Sequence, residues 1–127
     1  MINFEYYNFF EKKIISKKNR FSFSYSKEKK IKKKFNNSVL LIAGAAGSIG
    51  SVFTKTFQKI NFKKLILIDK DENELTELNR ELVLILKKKI KRVEFICNDL
   101  NLMNLDDFFK KEKINHYMNF AAIKHVR

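Results

Sequence analysis

The stretch VLLIAGAAGSIG, residues 39–50, decides how the rest of the chain reads. Val39 to Ala43 is a short, continuous apolar run, the pattern of a strand buried on both faces. It runs into a turn that holds all three glycines of the 127-residue chain, Gly44, Gly47 and Gly50. In a sequence so poor in glycine, this clustering marks a backbone path that side chains would obstruct. Gly44 lets the strand turn sharply, Gly47 lets the backbone approach a phosphate group, and Gly50 lets a following helix pack close to the sheet. A helix starting near Ser48 aims its unpaired N–H groups and positive dipole end at the same place, so an anion is expected there.

Downstream, Ser48 to Ile60 reads as a helix, with Ile49, Val52, Phe53, Phe57 and Ile60 recurring at three- and four-residue steps. Leu65 to Ile68 is a second buried strand, closed by Asp69. Asp71 and Glu74 form an N-cap and capping partner for a helix carrying Leu75, Leu78, Leu82, Ile85 and Leu86 on one side. Val93 to Cys97 supplies a third strand, Leu102 to Lys111 a shorter helix, and His116 to Ala122 a fourth strand. This alternation predicts an α/β fold: a Rossmann-like doubly wound parallel sheet, incomplete at four strands, in the order 3-2-1-4.

A glycine-rich turn alone is weak evidence, but three features around it agree: a buried strand before it, an amphipathic helix after it, and an acid about 20 positions on, at the end of the next strand. Asp69 is that acid and would accept the hydroxyls of an adenosine ribose. The expected cofactor is therefore NAD or NADP. Lys70 is either a solvated loop lysine or a partner for a 2′-phosphate, and the choice between the two cofactors stays open.

The formal net charge of +13 raises nucleic acid or an anionic membrane as partners. However, lysine far outnumbers arginine, Ile, Asn and Phe are abundant, and Pro and Trp are absent, as an AT-rich coding sequence would produce regardless of function. Residues 1–38 hold 11 Lys+Arg against 3 Asp+Glu, so most of the excess lies in a basic and aromatic N-terminal arm, residues 1–37. The arm reads as packing on its own domain or on a partner, and nucleic acid is not the expected ligand. A single cysteine, Cys97, and no run of about 18 apolar residues fit a cytoplasmic chain without a membrane span.

With GAAGSIG, KKLILIDKDENEL at 63–75 and AAIKHV at 121–126, residues 38–127 resemble the extended short-chain dehydrogenase/reductase superfamily. Within it they resemble the polysaccharide-biosynthesis group that includes UDP-N-acetylglucosamine 4,6-dehydratases. The resemblance implies an NAD(P)-binding domain, with Gly44, Ala46, Gly47, Ser48, Ile49, Gly50, Asp69 and Lys70 at the cofactor. It also implies that Asp99 and Leu100 contact the adenine, that Ala121 and Ala122 lie against the cofactor, and that Lys124 and His125 border cofactor and substrate. From the residues alone, Asp99 reads as a helix cap and the two alanines as packing residues. Ala43, Asn119-Phe120 and Arg127 depart from the family pattern.

In that family the nicotinamide takes a hydride from the sugar, water is lost, and the hydride returns. The Tyr-x-x-x-Lys pair of the family is absent from the matched region, where Tyr117 has Ala121 four residues later, so no catalytic residue is carried over. The expectation is the cofactor-binding portion of a nucleotide-sugar dehydratase or epimerase for surface polysaccharides, ending before the catalytic segment and inactive alone. The alternatives are a non-enzymatic nucleotide- or partner-binding module, or half of a split enzyme completed by a second chain. A nucleotide sugar is the expected substrate of the complete enzyme, and the edge left open by the fourth strand favours homo-oligomers.

Overall fold

A computed structural model of the chain describes residues 25–122. The elements are α1 (Tyr25–Phe35), β1 (Val39–Ala43), α2 (Ser48–Thr56), β2 (Lys64–Asp69), α3 (Glu72–Leu86), β3 (Val93–Cys97), α4 (Leu105–Glu112) and β4 (His116–Asn119). Short 3-10 turns extend α2 (Phe57–Lys59), join α3 to β3 (Lys87–Arg92) and follow β3 (Leu100–Leu102). The four strands are parallel in the order β3-β2-β1-β4, as expected from the β-α alternation.

Period-two alternation splits the apolar runs between the two faces of the sheet. Leu40, Ile42, Leu65 and Leu67 point to the side of α2 and α3, where Phe57, Phe62, Leu75, Leu78, Leu82 and Leu86 complete a buried cluster. Val39, Leu41, Ile66 and Ile68 point the other way, onto Phe108, Phe109 and Ile114 of α4 and its exit. Both central strands are therefore covered on both sides, which is why they are apolar without interruption. No helix among the described residues is long and apolar enough to cross a membrane.

Local signals explain where the helices begin. Asp71 caps α3 by accepting from the Glu74 N–H at 3.0 Å. The reciprocal half of the capping box is missing, because the Asp71 N–H donates to Asp69 Oδ1 at 3.1 Å instead. Asn104 caps α4 by accepting from the Asp107 N–H, so that helix starts at Leu105 rather than Leu102, whose side chain is 82% exposed. β4 ends at Asn119 rather than Ala122, because the Asn119 side chain accepts from the Ala121 N–H at 2.9 Å and turns the chain.

The expected buried face of α2 is corrected. Ile49 and Val52 are 71% and 64% exposed, while Gly50, Thr54 and Phe57 face the sheet. The helix is rotated this way because Gly50 packs on the glycine turn, and a residue four places on must then face inward as well. Thr54 follows Gly50 into the interior with its hydroxyl unpartnered.

At the opposite end of the sheet, Lys64 Nζ lies 2.6 Å from both Glu94 Oε2 and Glu112 Oε2, tying β2 to β3 and α4. Hydrogen bonds to these carboxylates raise the Lys64 pKa above its ordinary 10.5. A pKa raised by folding stabilises fully below the unfolded value and is lost as pH rises through the folded one. The stability difference between the native chain and Lys64→Met should therefore hold steady from neutral to mildly alkaline pH and shrink only above the ordinary lysine range, as read by urea midpoints across pH.

No described strand pairs with the outer edge of β4, where Tyr117 is 39% exposed and its ring meets Phe109 at 5.3 Å. Light scattering should show association that grows with concentration and weakens in Tyr117→Lys. A monomer at every concentration would contradict this expectation.

Candidate functional site

The C-terminal ends of the parallel strands, where open α/β sheets place their ligands, gather most of the candidate residues. β1 turns at Gly44, whose φ of +66° lies in the left-handed region that glycine favours. A Cβ on Gly44 would sit 2.4 Å from the Ala121 backbone nitrogen, so the turn presses directly on the segment leaving β4. A Cβ on Gly50 would sit 2.0 Å from the Gly44 carbonyl oxygen, so the first turn of α2 rests on the same glycine. Both approaches are backbone on backbone.

Gly47 differs from its two neighbours. Its Cβ would meet nothing in the protein closer than the Gly44 oxygen at 3.5 Å, an ordinary contact. The fold does not need a glycine there. Gly47 is the N-cap of α2 and offers no side-chain acceptor to the helix, while Asp71 and Asn104 cap α3 and α4. The amides of Ser48, Ile49 and Gly50 therefore belong to a helix end without a capping side chain, where the dipole favours negative charge.

Asp69 reaches into this same turn. Its Oδ2 accepts from the Ala46 N–H at 2.9 Å and its Oδ1 from the Asp71 N–H at 3.1 Å. Each carboxylate oxygen keeps a further lone pair. The Asn98 N–H donates to the Asp69 carbonyl at 3.0 Å, which brings the segment after β3 alongside. Within that segment Asp99 Oδ1 accepts from the Asn101 backbone and side-chain N–H groups at 2.9 and 3.0 Å, the cap that its residue type suggests. Leu100 packs on the core beneath.

Backbone contacts thus bring Gly44, Ala46, Gly50, Asp69 and Ala121 together, with Gly47 on the rim. Ala122 is exposed beyond them, and so is Lys70, whose carbonyl lies 3.7 Å from Cys97 Sγ. Lys124 and His125 lie outside the described residues. A shallow cavity of about 190 Å³ between α3 and β3 is lined by Glu72, Leu75, Thr76, Asn79, Phe95 and Cys97. It falls below the roughly 300 Å³ at which small-molecule pockets begin.

Asn119 is the residue that the sequence reading undervalues. By holding the Ala121 N–H, it sets the backbone that Gly44 touches, and an Asn just before small residues at a strand end is the available signal. Phe120 does not crowd the turn with its ring, which packs on Phe53 at 5.0 Å while its N–H donates to the Ala43 carbonyl at 2.8 Å. Burial pushes the Tyr117 phenol up, away from a proton-accepting role near neutral pH. The Tyr-x-x-x-Lys spacing does occur in the sequence as Tyr25 and Lys29, but in α1, ahead of β1.

Residues 40–127 match the family described as polysaccharide biosynthesis protein. The chain belongs to this family. The capsular polysaccharide biosynthesis protein CapD of Staphylococcus aureus is 29% identical over 96 residues, which is 76% of this chain and 16% of that protein. Among solved structures, the UDP-glucuronic acid 4-epimerase of Bacillus cereus, in complex with UDP-glucuronic acid and NAD, is 26% identical with a TM-score of 0.53. That match covers 70% of this chain and 28% of the epimerase. The C-domain of a bacterial malonyl-CoA reductase with NADP, at 20% identity and a TM-score of 0.58, shares the fold over 73% of this chain and 16% of its own. The family member described here thus spans under a third of the length of these relatives. The Rossmann-type sheet and the placement in the extended short-chain dehydrogenase/reductase group agree with the reading of GAAGSIG.

Gly50 and Gly47 should separate in mutagenesis. Gly50→Ala forces a methyl into the Gly44 carbonyl and should cost about 3 kcal/mol, as overpacking against rigid neighbours does. Gly47→Ala meets only ordinary contacts and should cost about 1 kcal/mol or less, the difference between glycine and alanine at an N-cap. Urea unfolding of the two variants reads both values.

Proposed function

We propose that this polysaccharide-biosynthesis family member is the NAD(P)-binding portion of a nucleotide-sugar dehydratase or epimerase, of the UDP-N-acetylglucosamine 4,6-dehydratase kind. The observation that carries the reading is the meeting of a left-handed glycine turn, an uncapped helix end and the Asp69 carboxylate in one crevice at the C-terminal end of the sheet. The epimerase match, a protein that holds NAD and a UDP-sugar, supports it.

The residues fit such a group. Gly47 lets the backbone lie against a pyrophosphate, and the amides of Ser48, Ile49 and Gly50 donate to its oxygens. Asp69, oriented by the Ala46 N–H, would accept the ribose hydroxyls with its remaining lone pairs and disfavour a 2′-phosphate by charge, whereas the exposed Lys70 would favour one. Asp99 and Leu100 would border the adenine, and Ala121 and Ala122 would lie against the cofactor on the β4 side. When bound, the nicotinamide supplies hydride transfer. Tyr117 has no lysine partner, so these residues bind cofactor without turning over sugar nucleotide.

Calorimetric titration of the 127-residue chain with NAD and NADP should give heat with at least one of them. Asp69→Asn should weaken that binding about tenfold or more, since hydrogen bonds to a charged group contribute roughly 1.5–3 kcal/mol. No heat with either cofactor would sink the reading. Product formed from UDP-N-acetylglucosamine by this chain would refute the statement that it lacks turnover.

A further inference from the structure

We propose that the N-terminal end of the sheet, opposite the candidate cofactor crevice, is a docking face for an anionic lipid surface. In a parallel sheet every segment that enters a strand lies at one end and every segment that leaves lies at the other. Charge follows that division here. The segments entering β2 and β3, residues 57–63 and 87–92, carry six Lys, one Arg and no carboxylate. Those leaving β2 and β3 carry Asp69, Asp71, Glu72, Glu74 and Asp99, with Lys70 as the basic exception.

The basic end is built as one surface. Lys89 Nζ donates to the carbonyls of Gln58 and Ile60 at 2.9 and 3.3 Å, and Arg92 Nη1 to Asn61 Oδ1 and the Phe62 carbonyl at 3.0 Å each. These bonds join the two turns. The Asn37 N–H donates to the Asn61 carbonyl at 2.7 Å, so the end of α1, with Lys33 and Lys34, is held beside them. The last turn of α4 adds Lys110 and Lys111. Of the carboxylates at this end, Glu94 and Glu112 are both engaged by Lys64. Lys59, Lys63, Lys87, Lys88 and Lys91 are exposed.

One or two lysines per helix end would satisfy the helix dipoles, but beyond the bonded Lys89 and Arg92 the two turns carry five exposed lysines, which exceed that need. Lipid fits this face better than nucleic acid. The aromatic residues of the entering turns, Phe57 and Phe62, are 1% exposed and offer no base a platform. Leu84 and Val83, 77% and 46% exposed, stand in the last turns of α3 next to Lys87 and Lys88. An apolar pair beside clustered lysines suits the headgroup boundary of an anionic leaflet.

The test is co-sedimentation of the 127-residue chain with phosphatidylcholine vesicles, with and without roughly one-third phosphatidylglycerol. Binding should require phosphatidylglycerol and fall with added salt. The triple change Lys59→Glu, Lys88→Glu, Lys91→Glu should weaken it about tenfold or more, and the same three positions changed to Arg should retain it, which separates charge from folding. Reversing Lys12, Lys13 and Lys17 instead should cost less. The proposal fails if the phosphatidylglycerol vesicles are not bound, or if the triple reversal leaves binding intact. It also fails if the arm reversal costs more, or if poly(U) is held by these lysines more tightly than the vesicles are.

Discussion

The contact between the Gly44 carbonyl and the backbone of Gly50 is the constraint on which the rest of the site depends. It is so short that no Cβ fits at Gly50, and it holds the first turn of α2 against the end of β1. Because Gly44 also presses on the backbone of Ala121, the same turn locks the exit from β4 against the exit from β1. The Ala46 N–H draws in the Asp69 carboxylate and completes the arrangement from the β2 side. Three strand ends therefore converge on one glycine-built turn, and neither close contact tolerates side-chain bulk.

This constraint has a consequence for packing. With Gly50 turned inward, Thr54 and Phe57 must follow it, and Ile49 and Val52 are left in solvent. An apolar residue is thus exposed on α2 while a threonine hydroxyl is buried without a partner, an exchange that packing alone would disfavour. The geometry at the helix start outranks the hydrophobic pattern along it.

The described segments around β2 and β3 are also divided electrostatically along the strand direction. Acidic side chains, with Lys70 as the exception, lie at the crevice end and basic ones at the opposite end, with the Lys64 carboxylate network between the entering segments. Charge summed over the chain says nothing of this division. It emerges only once the strands are parallel and all the entering segments share one end.

The sequence by itself determined the element types, their parallel order and the position of the glycine turn, because these rest on local rules: uninterrupted apolar runs for doubly covered strands, period-3.6 stripes, and glycine where a backbone must turn or touch. That Asp69 stands beside the glycine turn was legible too, since it closes a strand one crossover after the turn. Tertiary structure alone decided which way α2 is rotated, why Asn119 ends β4, and how tightly Gly44 and Gly50 are pressed against neighbouring backbone. Those outcomes depend on distances between segments far apart in the chain, such as Gly44 to Ala121 and Ala46 to Asp69, and no spacing within either segment encodes them.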